Sequence, residues 1–250
     1  MHHCLKSKNK TNLVIGSKQP TAVYLSHEEA DEHCRLGASI WHFASTKDST
    51  GSAPSTANPD VVLVGIGVEV TFEVIKAAEL LCTLCPALKI RVINVTDLMI
   101  LMAESKHPHA LSQARFDELF TTDKPLLFNY HGYATELQGI LFGRGGLHRM
   151  SVEGYREEGS TTTPFDMMLV NHVSRFDVVD RALRAGASQN EQVKKQLDGH
   201  LEDVRKRVES VRQFIVEHGK GTYASAPDME RQWQLTRFAD PDDIYKVPEF

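Results

Sequence analysis

Apolar residues in this chain follow two rhythms, and the change between them is clearest around position 65. The stretch 58–85, NPDVVLVGIGVEVTFEVIKAAELLCTLC, has an unbroken, β-branched apolar run at 61–64. A run without polar alternation predicts a strand covered on both faces, as in a parallel sheet. Gly65 and Gly67 break it and permit a tight turn. Beyond them Val70, Val74, Ala78, Leu81 and then Leu84 and Cys85 recur at helical spacing. Strand, glycine turn and helix make the first half of a βαβ unit. In open α/β sheets the ligand-facing edge of such a unit lies at the carboxyl ends of the strands.

The same rhythms place the other elements. NLVI at 12–15 is a short apolar strand ended by Gly16. Ser26 followed by His27-Glu28-Glu29 has the form of an N-cap with an acidic first turn, opening a helix that runs to Leu36 and stops at Gly37. Residues 39–43, with Trp41, read as buried. The polar stretch 45–58, STKDSTGSAPSTAN, is a linker, and what precedes it is expected to be a short extended arm. A second strand is expected over 88–95, a short apolar turn over 97–103, and a helix over 111–120. The third strand, 124–130, runs into His131-Gly132-Tyr133. A helix over 136–142 ends at Gly143-Arg144-Gly145-Gly146, ahead of a strand over 147–152. After the polar loop 157–164, one helix is expected from 165 to about 185, stopped by Gly186. The last helix starts from Asn190 as N-cap, with Val193, Leu197, Leu201, Val204, Val208, Val211 and Ile215 stepping by three or four; Gly199 weakens it and allows a kink. The units expected are therefore 1–57 (arm and linker), 58–219 (α/β domain) and 220–250 (tail).

Composition narrows the class. With 250 residues and 41% hydrophobic content there is material for one sizeable core and appendages. A net charge of −5 without a basic stripe argues against nucleic acid as partner, and no apolar run approaches membrane-spanning length. The opening MHHCLKSKNKTNLVIG carries only a four-residue apolar run, too short for a signal-peptide core. Cys4, Cys34, Cys82 and Cys85 form no disulfide framework, which points to a cytoplasmic protein with reduced thiols. Cys82 and Cys85 make a CxxC, but at the end of a helix rather than at its start, where the dipole would lower a thiol pKa; they read as core cysteines. His107-Pro108-His109 lacks a nearby third ligand and reads as loop, so no metal site is expected.

Three spots bear on chemistry. Pro20 holds Gln19 extended just past a strand end, so Lys18 is either a solvated lysine or a point charge for a phosphate. His131 and Tyr133 flank a glycine at the carboxyl end of a buried strand, which is either a ligand site or a histidine that fixes a turn. The Arg144 segment is either an anion loop or, more simply, a helix stop. A free-standing nucleotide-binding or regulatory module built on Gly65-Ile66-Gly67 stays open. That turn lacks the third glycine of the dinucleotide fingerprint, and Glu69 would stand near the phosphate path.

Three motifs in order, SKQP at 17–20, FNYHGYATELQGILFGR at 128–144 and GYREEGSTTTPFDMMLVN at 154–171, carry a resemblance. From about Leu13 to Gly219 the chain resembles the C-terminal part of the xylulose 5-phosphate/fructose 6-phosphate phosphoketolases, thiamine-diphosphate enzymes of the transketolase type. The resemblance implies a transketolase C-terminal-like, three-layer α/β domain with a mixed, mostly parallel sheet. It further implies N-terminal and middle domains as partners, a homodimer, and thiamine diphosphate with Mg in the intact enzyme. That cofactor is expected to be held elsewhere: the family's Gly-Asp-Gly motif does not occur in this sequence. No catalytic residue is inherited, and the chain alone is expected to be inactive. Lys18, with Gln19, matches the family's KQP turn near the sugar phosphate. His131 matches its HGY without acquiring a role.

Overall fold

The structure is a computed structural model and describes residues 8, 11–16, 22–46, 58–156 and 162–219. Its centre is a five-stranded sheet in the order β1-β3-β2-β4-β5. The strands are β1 (Ala38–Ile40), β2 (Val61–Ile66), β3 (Ile90–Val95), β4 (Leu126–Tyr133) and β5 (Met150–Tyr155). Only β1 runs antiparallel, against β3; the remaining pairs are parallel.

Alternate residues of β2 feed two cores. Val61 and Leu63 join Ile90, Val92 and Leu127 beneath α2 (Val68–Leu84), α6 (Arg175–Ala187) and α7 (Glu191–His218). Val62, Val64 and Ile66 join Ile93, Val95, Leu126 and Phe128 on the other face, under α3 (Gln113–Phe120) and α4 (Ala134–Leu141). This is the three-layer α/β arrangement, and it explains why 61–64 has no polar position: neither face meets water. Burial of one such leucine or valine contributes about 1.5–3 kcal/mol.

Several elements differ from expectation. Residues 11–16 are described and exposed, without strand pairing. The expected arm carries α1 (His27–Leu36), capped by a Ser26–Glu29 box, and the edge strand β1. The stretch 27–46 is therefore built into the sheet, because β1 finds β3's free edge and Trp41 is buried in the core. β3 is buried at all six positions, where the apolar-polar alternation of 88–95 (LKIRVINV) predicts one open face. Within it Arg91 Nη1 donates to the carbonyls of Glu118 (3.0 Å) and Leu119 (2.6 Å), which closes the C-terminal end of α3.

The strand expected at 147–152 begins later. A short 3-10 turn, Leu147–Arg149, follows left-handed Gly146, and β5 starts at Met150. The helix expected from 165 to 185 is two helices, α5 (Pro164–Val170) and α6. His172 takes a left-handed φ of 58° between them, and Ser174 with Asp177 forms a fresh capping box. Gly186 does not stop α6. It lies within it, where a Cβ would collide with Leu88. Of the two cysteines ending α2, Cys85 is buried and Cys82 is exposed; burial pushes the Cys85 thiol up, away from a reactive thiolate. The linker 47–57, the loop 157–161 and the tail 220–250 lie outside the described residues.

Candidate functional site at the carboxyl ends of the strands

The strand order fixes where a crevice can open. From β2 the chain crosses to β3 on one side and then returns to β4 on the other, so the order reverses between β2 and β4. Gly67, at the end of β2, has φ 101°, and a Cβ there would collide with Cβ of His131 at the end of β4. A glycine is needed at this close approach. A register shift between Tyr130 and Tyr133 in the β4–β5 pairing aims the His131 side chain at the first turn of α2.

There His131 Nδ1 lies 2.8 Å from Glu69 Oε2, both side chains about one-third exposed (36% and 33%). A carboxylate only accepts, so Nδ1 carries the proton and Nε2 is the ring's other, unprotonated edge in the neutral form. The ring packs on Tyr155 (centroids 4.8 Å apart), whose hydroxyl donates to Met168 Sδ at 3.1 Å. Burial, with Glu69 and Glu73 nearby, pushes the Tyr155 phenol up to about 12, so it stays a neutral donor. Tyr133 is exposed and stands opposite Tyr155 in the ladder. The structure thus joins His131 to Tyr155 and Glu69.

Behind this rim lies a buried polar layer. Asn94 donates from Nδ2 to the Gly65 carbonyl (3.0 Å) and to Thr71 Oγ1 (2.9 Å). Its Oδ1 accepts from His33 Nε2 at 2.8 Å, and His33 Nδ1 meets Ser39 Oγ at 2.7 Å. Burial holds the His33 pKa below its ordinary value. Glu73 and Arg175 form a fully buried pair, Oε2 with Nε at 2.9 Å and Oε1 with Nη2 at 2.7 Å. Glu73 Oε2 also accepts the Arg175 backbone N–H at 2.7 Å, at the start of α6.

These residues do not fit a diphosphate or its metal. The helix terminus that would receive the phosphates already holds the Glu69 carboxylate in its first turn, which repels an anion. Among the described residues no group of three or more His, Cys, Asp or Glu could hold a metal ion. His109 instead pairs through Nδ1 with Asp97 (2.9 Å), and Arg144 is buried, donating to the carbonyls of Leu101, Ile100 and Leu111. No helix among the described residues is long and apolar enough to cross a membrane. Lys18 and Gln19 lie outside the described residues.

Nothing local in the sequence pairs Glu73 with Arg175. The pair's signal is a glutamate between Phe72 and Val74, on the stripe of a helix that is otherwise apolar there. In the sequence Glu69 reads only as an obstacle to phosphate; the fold makes it the partner of His131.

Residues 18–229 match the family model described as the XFP C-terminal domain. A probable phosphoketolase of Schizosaccharomyces pombe is 52% identical over 181 residues, covering 72% of this chain and 21% of the relative. One from Chlorobaculum tepidum is 39% identical over 219 residues, covering 88% of this chain and 26% of the relative. The chain thus spans about a fifth to a quarter of the curated relatives it matches. Among solved structures, a transketolase from Leishmania mexicana aligns with a TM-score of 0.38 at 14% identity, covering 63% of this chain and 19% of that one.

Proposed function

The chain belongs to the family of phosphoketolase (XFP) C-terminal domains, and from that premise we propose that it is the structural, dimer-supporting C-terminal domain of a phosphoketolase. The whole enzyme would cleave xylulose 5-phosphate or fructose 6-phosphate with inorganic phosphate, giving acetyl phosphate and an aldose phosphate. It would be cytoplasmic, with thiamine diphosphate and Mg held by N-terminal and middle domains. The observation that carries the reading is the family match over 18–229. The strand-end geometry agrees with it, since Glu69 fills the position a phosphate would need.

Within that reading the chain contributes packing and one substrate contact. Lys18, in the sequence Lys18-Gln19-Pro20, would supply a point charge to the sugar phosphate. His131 and Tyr133, partly exposed at the end of β4, are the strand-end site of that reading. The test is a graft of this chain onto the Chlorobaculum tepidum phosphoketolase in place of the segment it matches. The graft should form acetyl phosphate, while the 250-residue chain alone, with cofactor, Mg and phosphate added, should form none. Lys18→Met in the graft should raise the KM for the ketose phosphate, a loss of about 1–3 kcal/mol in binding. Acetyl phosphate from the isolated chain, or an inactive folded graft, would refute the reading; an unchanged KM would remove Lys18 from it.

A further inference from the structure

We propose that the strand-end rim of His131, Glu69 and Tyr133 is a docking point for an arginine side chain from the part of the phosphoketolase lying ahead of this domain. The inference rests on the reading above that this chain is one domain of that enzyme.

The rim offers acceptors and aromatic faces. Glu69 Oε2 takes the Nδ1 proton of His131 at 2.8 Å, which leaves Nε2 as an acceptor. Among the described residues Nε2 meets no donor; the ring's other contact is the Tyr155 ring, 4.8 Å away between centroids. A carboxylate behind one ring nitrogen makes the other more basic, as it does for metal-bound histidines. Tyr133, 43% exposed, is the ladder partner of Tyr155 and brings a second ring to this edge. The Tyr155 hydroxyl is already used, because it donates to Met168 Sδ.

Charge selects the sign of the ligand. Glu69 brings one carboxylate, and Glu136, in the first turn of α4, is close enough to help push up the Tyr130 phenol. The cations at this end are engaged, Arg156 with Glu153 (3.7 Å) and Arg175 with Glu73 (2.7 Å). An anion is therefore repelled, and among the described residues a metal ion finds too few ligands. A guanidinium fits on three counts. It is a cation, it carries donors only, and its plane can lie on the Tyr133 ring while its edge reaches Nε2 and the carboxylate. A lysine ammonium brings the charge without the plane. The chain spans 21% and 26% of the two relatives above, so most of the surface that can meet the rim lies outside it. Within one polypeptide such a contact is intramolecular, whereas a second copy must bury roughly 1,000 Å² to hold.

The test compares Glu69→Gln and His131→Phe in two settings. One is the 250-residue chain alone; the other is a graft onto the Schizosaccharomyces pombe phosphoketolase in place of the segment it matches. Glutamine keeps an acceptor for Nδ1 and removes only the charge. Phenylalanine keeps a ring on Tyr155 and removes the acceptor. In the chain alone each should move the melting midpoint by less than about 2 °C, since a surface pair contributes little. In the graft each should lower it by about 4 °C or more, and added salt should lower the midpoint of the graft more than that of its Glu69→Gln form. A graft no more sensitive than the chain alone overturns the proposal. So does a rise in midpoint with Glu69→Gln, which would put an anion at the rim. An equal fall in the chain alone would assign the occupant to this chain, and a substitution-dependent shift in its elution would assign it to a second copy; either overturns the proposal. A graft that does not fold also counts against it, because the surface then fails to meet the rest of the enzyme. Activity of the unsubstituted graft is read separately, so a folded but inactive graft defeats the functional reading while the melting comparison still decides the docking.

Discussion

Arg175 and Glu73 sit 102 positions apart and share two side-chain hydrogen bonds in a space that admits almost no water. Removing one partner leaves the other charge buried and uncompensated, so Arg175→Met should cost about 3–5 kcal/mol in a denaturant titration. The double replacement Glu73→Met/Arg175→Met should recover much of that loss. It should not recover all, because Glu73 also accepts the first backbone N–H of α6. Equal losses for the single and double variants would show that the pair's charges are not what matters. His33 offers a pH test. Its folded pKa is lowered by burial, so in the interval below the ordinary histidine value of about 6.5 the unfolded chain binds the extra proton. Its stabilisation is complete above that value and falls away as pH drops toward the folded one. Wild type should therefore lose more stability than His33→Gln between about pH 7.5 and 5.5; equal losses would acquit His33. The sequence marks none of Arg175, Glu73 and His33; at the strand ends it marks His131 and Tyr133, because a polar residue there is a local signal, and Glu69 as an obstacle to phosphate. Their actual neighbours depend on Gly67's φ of 101° and on a register shift, which no local pattern encodes.

At the scale of elements, legibility followed burial on both faces. β2, α2 and α7 were readable from apolar spacing alone, since nothing but the core shapes those runs. Leu63→Ala should accordingly cost about 2–5 kcal/mol by chemical denaturation, with a loss under about 1 kcal/mol ruling out a central position for β2. Elements whose identity is tertiary were less legible. β1 is three residues long and exists because β3's edge is free, so 27–46 joins a sheet that its own sequence does not announce. The single helix expected from 165 to 185 breaks because Asn129 Nδ2 from β4 donates to the Val173 carbonyl between the two halves, which the intervening turn exposes. Conversely, 13–15 has a strand's composition but no strand pairing among the described residues.

On the scale of the whole molecule the remaining question is whether the crevice between β2 and β4 serves a nucleotide. The topology alone would permit it, and the glycine turn at 65–67 invites it. Two features oppose it. The first turn of α2 carries Glu69, held by His131 at 2.8 Å, so an incoming phosphate would meet a carboxylate where it needs backbone N–H groups and a positive helix end. The second is Gly67, which is packed against Cβ of His131 and so is not free to let a pyrophosphate approach the backbone. A ligand that binds only the folded chain at 100 times its Kd would add about 2.7 kcal/mol, a shift of several degrees in melting midpoint for a protein of this size. Millimolar NAD or ATP should therefore leave the midpoint of the 250-residue chain unmoved, and Glu69→Gln should not create binding, since the His131 ring would still fill the approach. A saturable rise in midpoint with either nucleotide, abolished by Gly67→Ala, would place a nucleotide site at this strand end and turn a structural domain into a sensing one.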